Sequence, residues 1–159
     1  MALTPDINEQ LQKVNELIPV HSMWDGFWIY DFEHGNLTIT CSFDRTEYRN
    51  FDIEFKNVRF FNIPSEWRDT HIEGDKLFKP GDKEAFQKLY PETDVAEQAV
   101  FALDLTVKSN SNPSITHRFH IVAERVVASA CLAGDARPNA YFKDPFEKET
   151  FPCFKNRVL

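Results

Sequence analysis

Histidines are the residues of this chain whose types and spacing come nearest to catalytic or metal chemistry. His117 and His120 lie three residues apart in a run that alternates apolar and polar residues, as a strand does. Residues three apart on a strand point to opposite faces of a sheet, so these two imidazoles cannot bind one metal ion. His117 falls on the apolar face, and two interpretations of it stay open. It is either a hydrogen-bonded core histidine or an acid or base in a cavity lined by Phe101, Leu103 and Phe119.

A second pair, His21 and Asp25, stands just before the first predicted strand. A histidine that is oriented by a carboxylate is the arrangement of a general base. The same two residues also suit a hydrogen-bonded turn that fixes where the strand begins. The sequence favours the turn, and neither residue is assigned a catalytic role.

Carboxylates are numerous, and they favour binding over catalysis. The chain has 25 Asp and Glu against 18 Lys and Arg, which gives a formal net charge of −7 at pH 7. We expect no nucleic-acid partner, because phosphates require a concentrated basic surface. The charge either serves solubility alone or attracts a basic protein partner. The candidate binding residues are Asp44, Glu47, Asp52 and Glu54, with His117 as a further candidate.

The sequence lacks the motifs of the common enzyme classes. It has no G-x-G-x-x-G or G-x-x-x-x-G-K-[ST] loop, no G-x-S-x-G elbow and no H-E-x-x-H helix. Its 3 cysteines show no zinc-ligand spacing, and their odd number fits a reducing compartment. We therefore expect no catalytic residue, no metal site and no cofactor. Because neither a signal peptide nor a membrane-spanning run is visible, we also expect a cytoplasmic protein with no membrane partner.

The elements that must position these residues begin with three consecutive strands in an antiparallel meander. We predict the strands over Phe27–Phe32, Leu37–Phe43 and Tyr48–Phe55, with a tight turn at Gly35 and a bulge or turn at Lys56–Val58. Apolar residues alternate with polar ones in the second and third strands. One face of the meander is therefore expected to be buried and the other solvated.

A second β-unit and two helices complete the predicted architecture. Residues Ala99–Val107 and Ile115–Glu124 predict a long hairpin. Helices are predicted over Thr4–Ile18, with Thr4 as the cap, and over Asp82–Tyr90. We expect one α+β domain over all 159 residues. Its antiparallel sheet of about five or six strands carries both helices on one face, and whether the strands form one sheet or two stays open.

Part of the sequence resembles a known group of proteins. The run HSMWDGFWIYDFEHGNLTIT, followed by FDIEFKNVRFF and later by RFHIVAERV, is similar to small bacterial domains. Such domains occur among the immunity proteins of polymorphic toxin systems and among related families of unknown function. The resemblance covers roughly half of the chain. It implies a non-enzymatic protein that neutralises a toxin by direct binding, with its negative charge steering it onto a basic partner.

Three functions are compatible with the sequence. The favoured one is a non-catalytic protein-binding domain that acts through an acidic or aromatic surface. The first alternative is a small-molecule-binding or enzymatic barrel whose cavity contains His117. The second alternative is a structural module that oligomerises through its aromatic C-terminal tail, Asp144–Leu159. The sequence does not determine the oligomeric state.

Overall fold

Two antiparallel sheets and two helices make up the part of the chain that is described. The structure, a computed structural model, describes residues 6–22, 24–43, 49–107 and 114–130. These residues form two α-helices, one 3-10 turn (Asp69–His71) and nine strands. The predicted α+β class, with an N-terminal helix and antiparallel strand pairing, is confirmed. Within these ranges, no helix is both long and apolar enough to cross a membrane.

The predicted meander forms the centre of the first sheet. In spatial order this sheet contains β5 (Glu66–Trp67), β1 (Gly26–Glu33), β2 (Asn36–Ser42), β3 (Phe51–Lys56) and β9 (Arg125–Ala130). His34 and Gly35 join β1 to β2 with φ values of 53° and 79°. Two successive positive φ values are typical of the tight hairpin turn that the glycine predicted.

A bulge interrupts β1 at Tyr30. Ile29 pairs with Ile39, but the next paired residue is Asp31, opposite Thr38, so Tyr30 is an extra residue in this strand. The sequence placed a bulge or a turn at Lys56–Val58. The chain turns there, because β3 ends at Lys56 and Asn57 has a φ of 52°.

The second sheet contains the predicted long hairpin. In spatial order its strands are β4 (Phe60–Phe61), β8 (Ile115–Ala123), β7 (Ala99–Val107) and β6 (Lys79–Pro80). The pairing of β7 with β8 is regular from Ala99 opposite Ala123 onwards. The strands within the described residues thus form two sheets. Glu124 alone separates β8 from β9, so the chain passes from the second sheet to the edge of the first within one residue.

The main core lies between the two sheets. Buried residues of β1, β2, β3 and β9 form one cluster with the odd-numbered residues of β7 and β8. Helix α1 (Ile7–Leu17) adds Leu11 and Val14 to this cluster. Asp6 caps α1 by accepting a hydrogen bond of 3.1 Å from the backbone N–H of Asn8. The predicted cap, Thr4, lies outside the described residues.

Helix α2 (Lys83–Leu89) covers the opposite face of the second sheet. Its predicted cap is confirmed, since Asp82 accepts a hydrogen bond of 3.1 Å from the N–H of Ala85. Phe86 of α2 forms a second, smaller core with Val100 and Val122. The prediction that both helices lie on one face is wrong. Val100 and Val122 make the second face of this sheet apolar at one end, and that end requires its own cover.

Candidate functional site

Strand pairing assembles the side of the first sheet that faces away from the main core, which we call the outer face. Directly paired residues share a face, so the register specifies which side chains are neighbours. Across this sheet, one row of the outer face consists of Glu66, Trp28, Thr40, Asp52 and Ser129, and the next row consists of Asp31, Thr38, Glu54 and Val127. Glu33 follows Asp31 on the same side of β1. Carboxylates therefore recur across the outer face.

The predicted binding residues Asp52 and Glu54 lie on the outer face, and each has a cationic neighbour. Arg49 Nη2 lies 3.2 Å from Asp52 Oδ2. Lys56 Nζ donates to Glu54 Oε1. These two carboxylates are largely neutralised, which weakens their contribution to a negative surface. The other predicted binding acids, Asp44 and Glu47, lie outside the described residues.

The acids of β1 differ from those of β3. Asp31 and Glu33 form no ion pair with any residue of the described ranges. The bulge brings Asp31 to the outer face, because Tyr30 takes up the extra position before it. We did not single out these two acids from the sequence, since β1 carries bulky residues on both sides. The alternation of Asp31, Phe32 and Glu33 was the available signal.

Tyr30 is the most exposed aromatic residue of the outer face. Tyr30 is 47% exposed. The guanidinium carbon of Arg49 lies 3.8 Å from the centre of its ring, which is the geometry of a cation–π contact. Arg49 thus lies between the ring of Tyr30 and the carboxylate of Asp52. This arrangement holds a large amphipathic ring in place beside Asp31, which has no ion-pair partner within the described ranges.

A second polar group lies on the second sheet. Asp104 of β7 pairs directly with Arg118 of β8. Arg118 donates from Nε to Oδ1 and from Nη2 to Oδ2 of Asp104, both at 2.8 Å. Lys79 Nζ donates to the same Oδ2 at 3.2 Å. The hydrogen bonds from Arg118 hold the pKa of Asp104 below its usual value, against the opposing effect of burial, and Asp104 in turn raises the pKa of Arg118.

His120 lies on the same face as this ion pair and is 8% exposed. It sits opposite Ala102, and its ring is 5.3 Å from the ring of Phe86 in α2. Its Nδ1 atom is buried without a hydrogen-bond partner in the described part of the chain. Burial lowers the pKa of His120, and the positive charge of Arg118 lowers it further. The sequence did not single out this histidine, because α2 covers a face that was expected to be polar.

The expectation of a buried His117 is wrong. His117 does lie on the same face of β8 as Phe119, with 6.4 Å between the two ring centres, but it is exposed. The first part of β8, from Ile115 to Arg118, is exposed on both faces. The cover that buries Ile121 does not reach this end of the strand. His117 is therefore exposed and not part of the buried core.

The turn before β1 uses partners other than the predicted pair. The backbone N–H groups of His21 and Ser22 donate to the two carboxylate oxygens of Asp69, at 2.7 and 3.0 Å. His21 Nε2 lies 2.8 Å from the carbonyl oxygen of Gly74. A hydrogen-bonded turn therefore precedes the strand, with Asp69 and Gly74 as its partners. His21 is held by backbone and carboxylate contacts typical of a structural role.

Two surface grooves border α1. The larger, of about 530 Å³, lies between α1 and the segment 75–80, and the smaller, of about 220 Å³, lies between α1 and β9. His117 lines neither of them. Among the described residues, no group of three His, Cys, Asp or Glu side chains is arranged to hold a metal ion. Comparisons with protein-family models, with curated proteins and with solved structures found no match to this chain.

Proposed function

We propose that this chain is a non-catalytic protein-binding domain whose recognition surface is the outer face of the first sheet. The observation that carries the proposal is the placement of Asp31 and Glu33 beside the half-exposed Tyr30. Unpaired carboxylates produce a negative potential, which accelerates the approach of a basic partner. Tyr30 is held in place and partly exposed, so a partner can bury its ring. Aromatic residues buried in this way contribute much of the binding energy of many protein interfaces.

The partner proposed for this surface is a basic protein. Formal charge over the whole chain is −7, so the long-range field also favours a cation. The resemblance to immunity-type domains, noted in the sequence, supports the same class of function, in which a toxin is neutralised by direct binding. A cytoplasmic location belongs to this proposal, and the full burial of Cys41 in the core is compatible with it.

The two alternative functions have less support. A His117 cavity would need an enclosed site, and His117 is exposed to solvent. Oligomerisation through Asp144–Leu159 involves residues outside the described ranges. Neither alternative explains why acids and an anchored aromatic residue share one face of the sheet.

Native mass spectrometry on protein purified gently from its own host tests the proposal. The double variant Asp31→Lys/Glu33→Lys reverses the charge of the outer face. The control Asp75→Lys/Glu92→Lys makes the same change in net charge at exposed acids outside the outer face. We expect a basic protein at fixed stoichiometry with the wild type and the control, and its loss with the outer-face variant. A partner retained by both variants would show that another surface binds it.

A further inference from the structure

Helix α2 is held to the second sheet by a small apolar contact. Phe86 is its one fully buried residue within the helix, and it packs on Val100 and Val122. Phe60 and Tyr90 lie at the border of this cluster, with ring centres 5.1 and 5.0 Å from that of Phe86. So little buried apolar area makes local opening of α2 far less costly than unfolding of the sheets.

His120 lies at the edge of this contact, between apolar and charged residues. Phe86 contacts its ring from α2. The backbone N–H of His120 donates to Asn62 Oδ1 at 2.7 Å, and Asn62 Nδ2 lies 3.3 Å from the Tyr90 hydroxyl. The position of His120 is therefore linked both to the helix and to the residue that follows it. A change in the charge of this imidazole therefore affects the contact between α2 and the second sheet.

The charged groups around His120 are predominantly cationic or already paired. Lys79 on β6 and Arg118 on β8 face it from the sheet, together with Asp104 on β7. Both oxygens of Asp104 already accept hydrogen bonds from these two cations. Tyr90 is the titratable group nearby on the helix side. The remaining charged residues of α2 are exposed: Lys83, Glu84 and Lys88.

Protonation of the His120 imidazole is unfavourable while α2 covers it. Both of its nitrogens would be donors, and the buried Nδ1 has no acceptor among the described residues. Its charge would also be repelled by that of Arg118, and the opposing attraction of Asp104 is smaller. A buried unpaired charge strongly destabilises the arrangement that buries it. Moving α2 away admits water to the imidazole and removes this penalty.

We propose that α2 is an acid-sensitive latch, in which proton uptake by His120 releases the helix and uncovers the apolar surface of Val100 and Val122. Burial and the charge of Arg118 lower the pKa of this imidazole below its usual value of 6.5 while the latch is closed. Opening of α2 therefore becomes less costly as the pH falls from the usual pKa of the imidazole towards the lowered one. This device lies on the second sheet and does not depend on the outer face of the first.

Hydrogen exchange measured between about pH 7.5 and pH 5 tests the latch, since this range spans the titration of histidine. Two amides report on α2, namely Phe86 N–H, which donates to Asp82, and Tyr90 N–H, which donates to Phe86. We expect their protection, corrected for the intrinsic exchange rate, to fall about tenfold for each unit by which the His120 pKa is lowered. Amides in the centre of β7, such as Leu103, should keep their protection.

Two variants make the test specific. His120→Phe retains an aromatic ring beside Phe86 and cannot be protonated, so the acid-dependent fall should vanish. His117→Gln removes an exposed histidine of the same strand and should leave the fall unchanged. An equal fall in His120→Phe, or no fall in the wild type, would overturn the proposal.

A titration of the wild type covers the case in which His120→Phe does not fold. Nuclear magnetic resonance follows the imidazole of His120 and the amides of α2 in one experiment. The two sets of signals should change with the same midpoint. Separate midpoints would show that another group controls α2.

Discussion

Asp104 and Arg118 face each other across the β7–β8 hairpin and are joined by two hydrogen bonds of 2.8 Å each. The side chain of Asp104 is only 9% exposed, whereas that of Arg118 is 48% exposed. The carboxylate is thus the buried partner, and it also holds Lys79. Removing the carboxylate leaves two neighbouring cations without their shared acceptor.

Asp104→Asn should therefore lower the free energy of unfolding by about 2 kcal/mol, the range typical of hydrogen bonds to a buried charge. Urea denaturation measures the change. Asp94→Asn is the matched control, because Asp94 pairs with Arg59 at 3.1 Å while its side chain is 71% exposed. Exposed pairs contribute little, so the control should lose less than about 1 kcal/mol. Equal losses would contradict the assignment of Asp104 as the centre of the group.

The same carboxylate should make stability depend on pH. The pKa of Asp104 is lower in the folded chain than its usual value of 3.8, so the unfolded chain binds this proton first on acidification. The stabilisation is complete above pH 3.8 and is lost as the pH falls through the folded pKa. We expect the urea midpoint of the wild type to fall more steeply than that of Asp104→Asn as the pH decreases below about 4. If the urea midpoints of the two proteins changed with pH in parallel, Asp104 would not be the source of the pH dependence.

Gln10 should contribute to stability through a hydrogen bond that joins α1 to the first sheet. Its Oε1 accepts a hydrogen bond of 2.8 Å from the backbone N–H of Val126, in the edge strand β9. Gln10→Ala would leave this buried N–H without its acceptor, at a cost of about 1–3 kcal/mol in the free energy of unfolding. Gln12→Ala is the control on the exposed side of the helix and should change it by less than about 0.5 kcal/mol. Thermal or urea unfolding would distinguish the two.

Any side chain at position 81 is expected to lower the stability of the protein. A Cβ atom at this position would lie 2.6 Å from Val100 Cγ1 and 3.0 Å from the Val100 carbonyl oxygen. The Gly81 N–H donates to that same carbonyl at 2.7 Å, so the backbone has little freedom to move away. Gly81→Ala should destabilise the protein by about 1–3 kcal/mol, as overpacking does. An unchanged urea midpoint would show that this segment can shift.

Tyr30 provides a test of the outer face that leaves charge unaltered. Once the basic partner is identified, Tyr30→Ala should weaken its binding about tenfold or more, as the loss of an interface anchor does. Leu89→Ala removes another exposed apolar side chain, 67% exposed, from α2 and should leave affinity unchanged. Isothermal titration of both variants gives the comparison. Equal effects would place the interface elsewhere.

The sequence was most informative where alternation was clean and the contacts were local. The β7–β8 hairpin, the helix after Asp82 and the turn at Gly35 were each predicted from a few neighbouring residues. The bulge at Tyr30 was not, because β1 has bulky residues on both sides and alternation could not reveal a slip. The membership of β9 in the first sheet depends on its pairing with β3, and no local pattern encodes that contact.

The histidines show the limit of predicting a site from alternation. Periodicity correctly placed His117 and His120 on opposite faces of β8. It could not show how far along the strand each face is covered. Packing of α2 buries His120, whereas β8 extends beyond the core at His117. The histidine proposed to have a function is therefore His120, which the sequence placed on the polar face, and not His117, which it placed on the apolar face.

The passage of the chain from β8 to β9 through Glu124 also constrains folding during synthesis. One edge strand of the first sheet, β9, follows every strand of the second in the sequence. On the ribosome, the edge of β3 that does not pair with β2 therefore remains open until Ala130 has left the exit tunnel. Until then its backbone is an open template for pairing with other chains, which is the period of greatest exposure to aggregation.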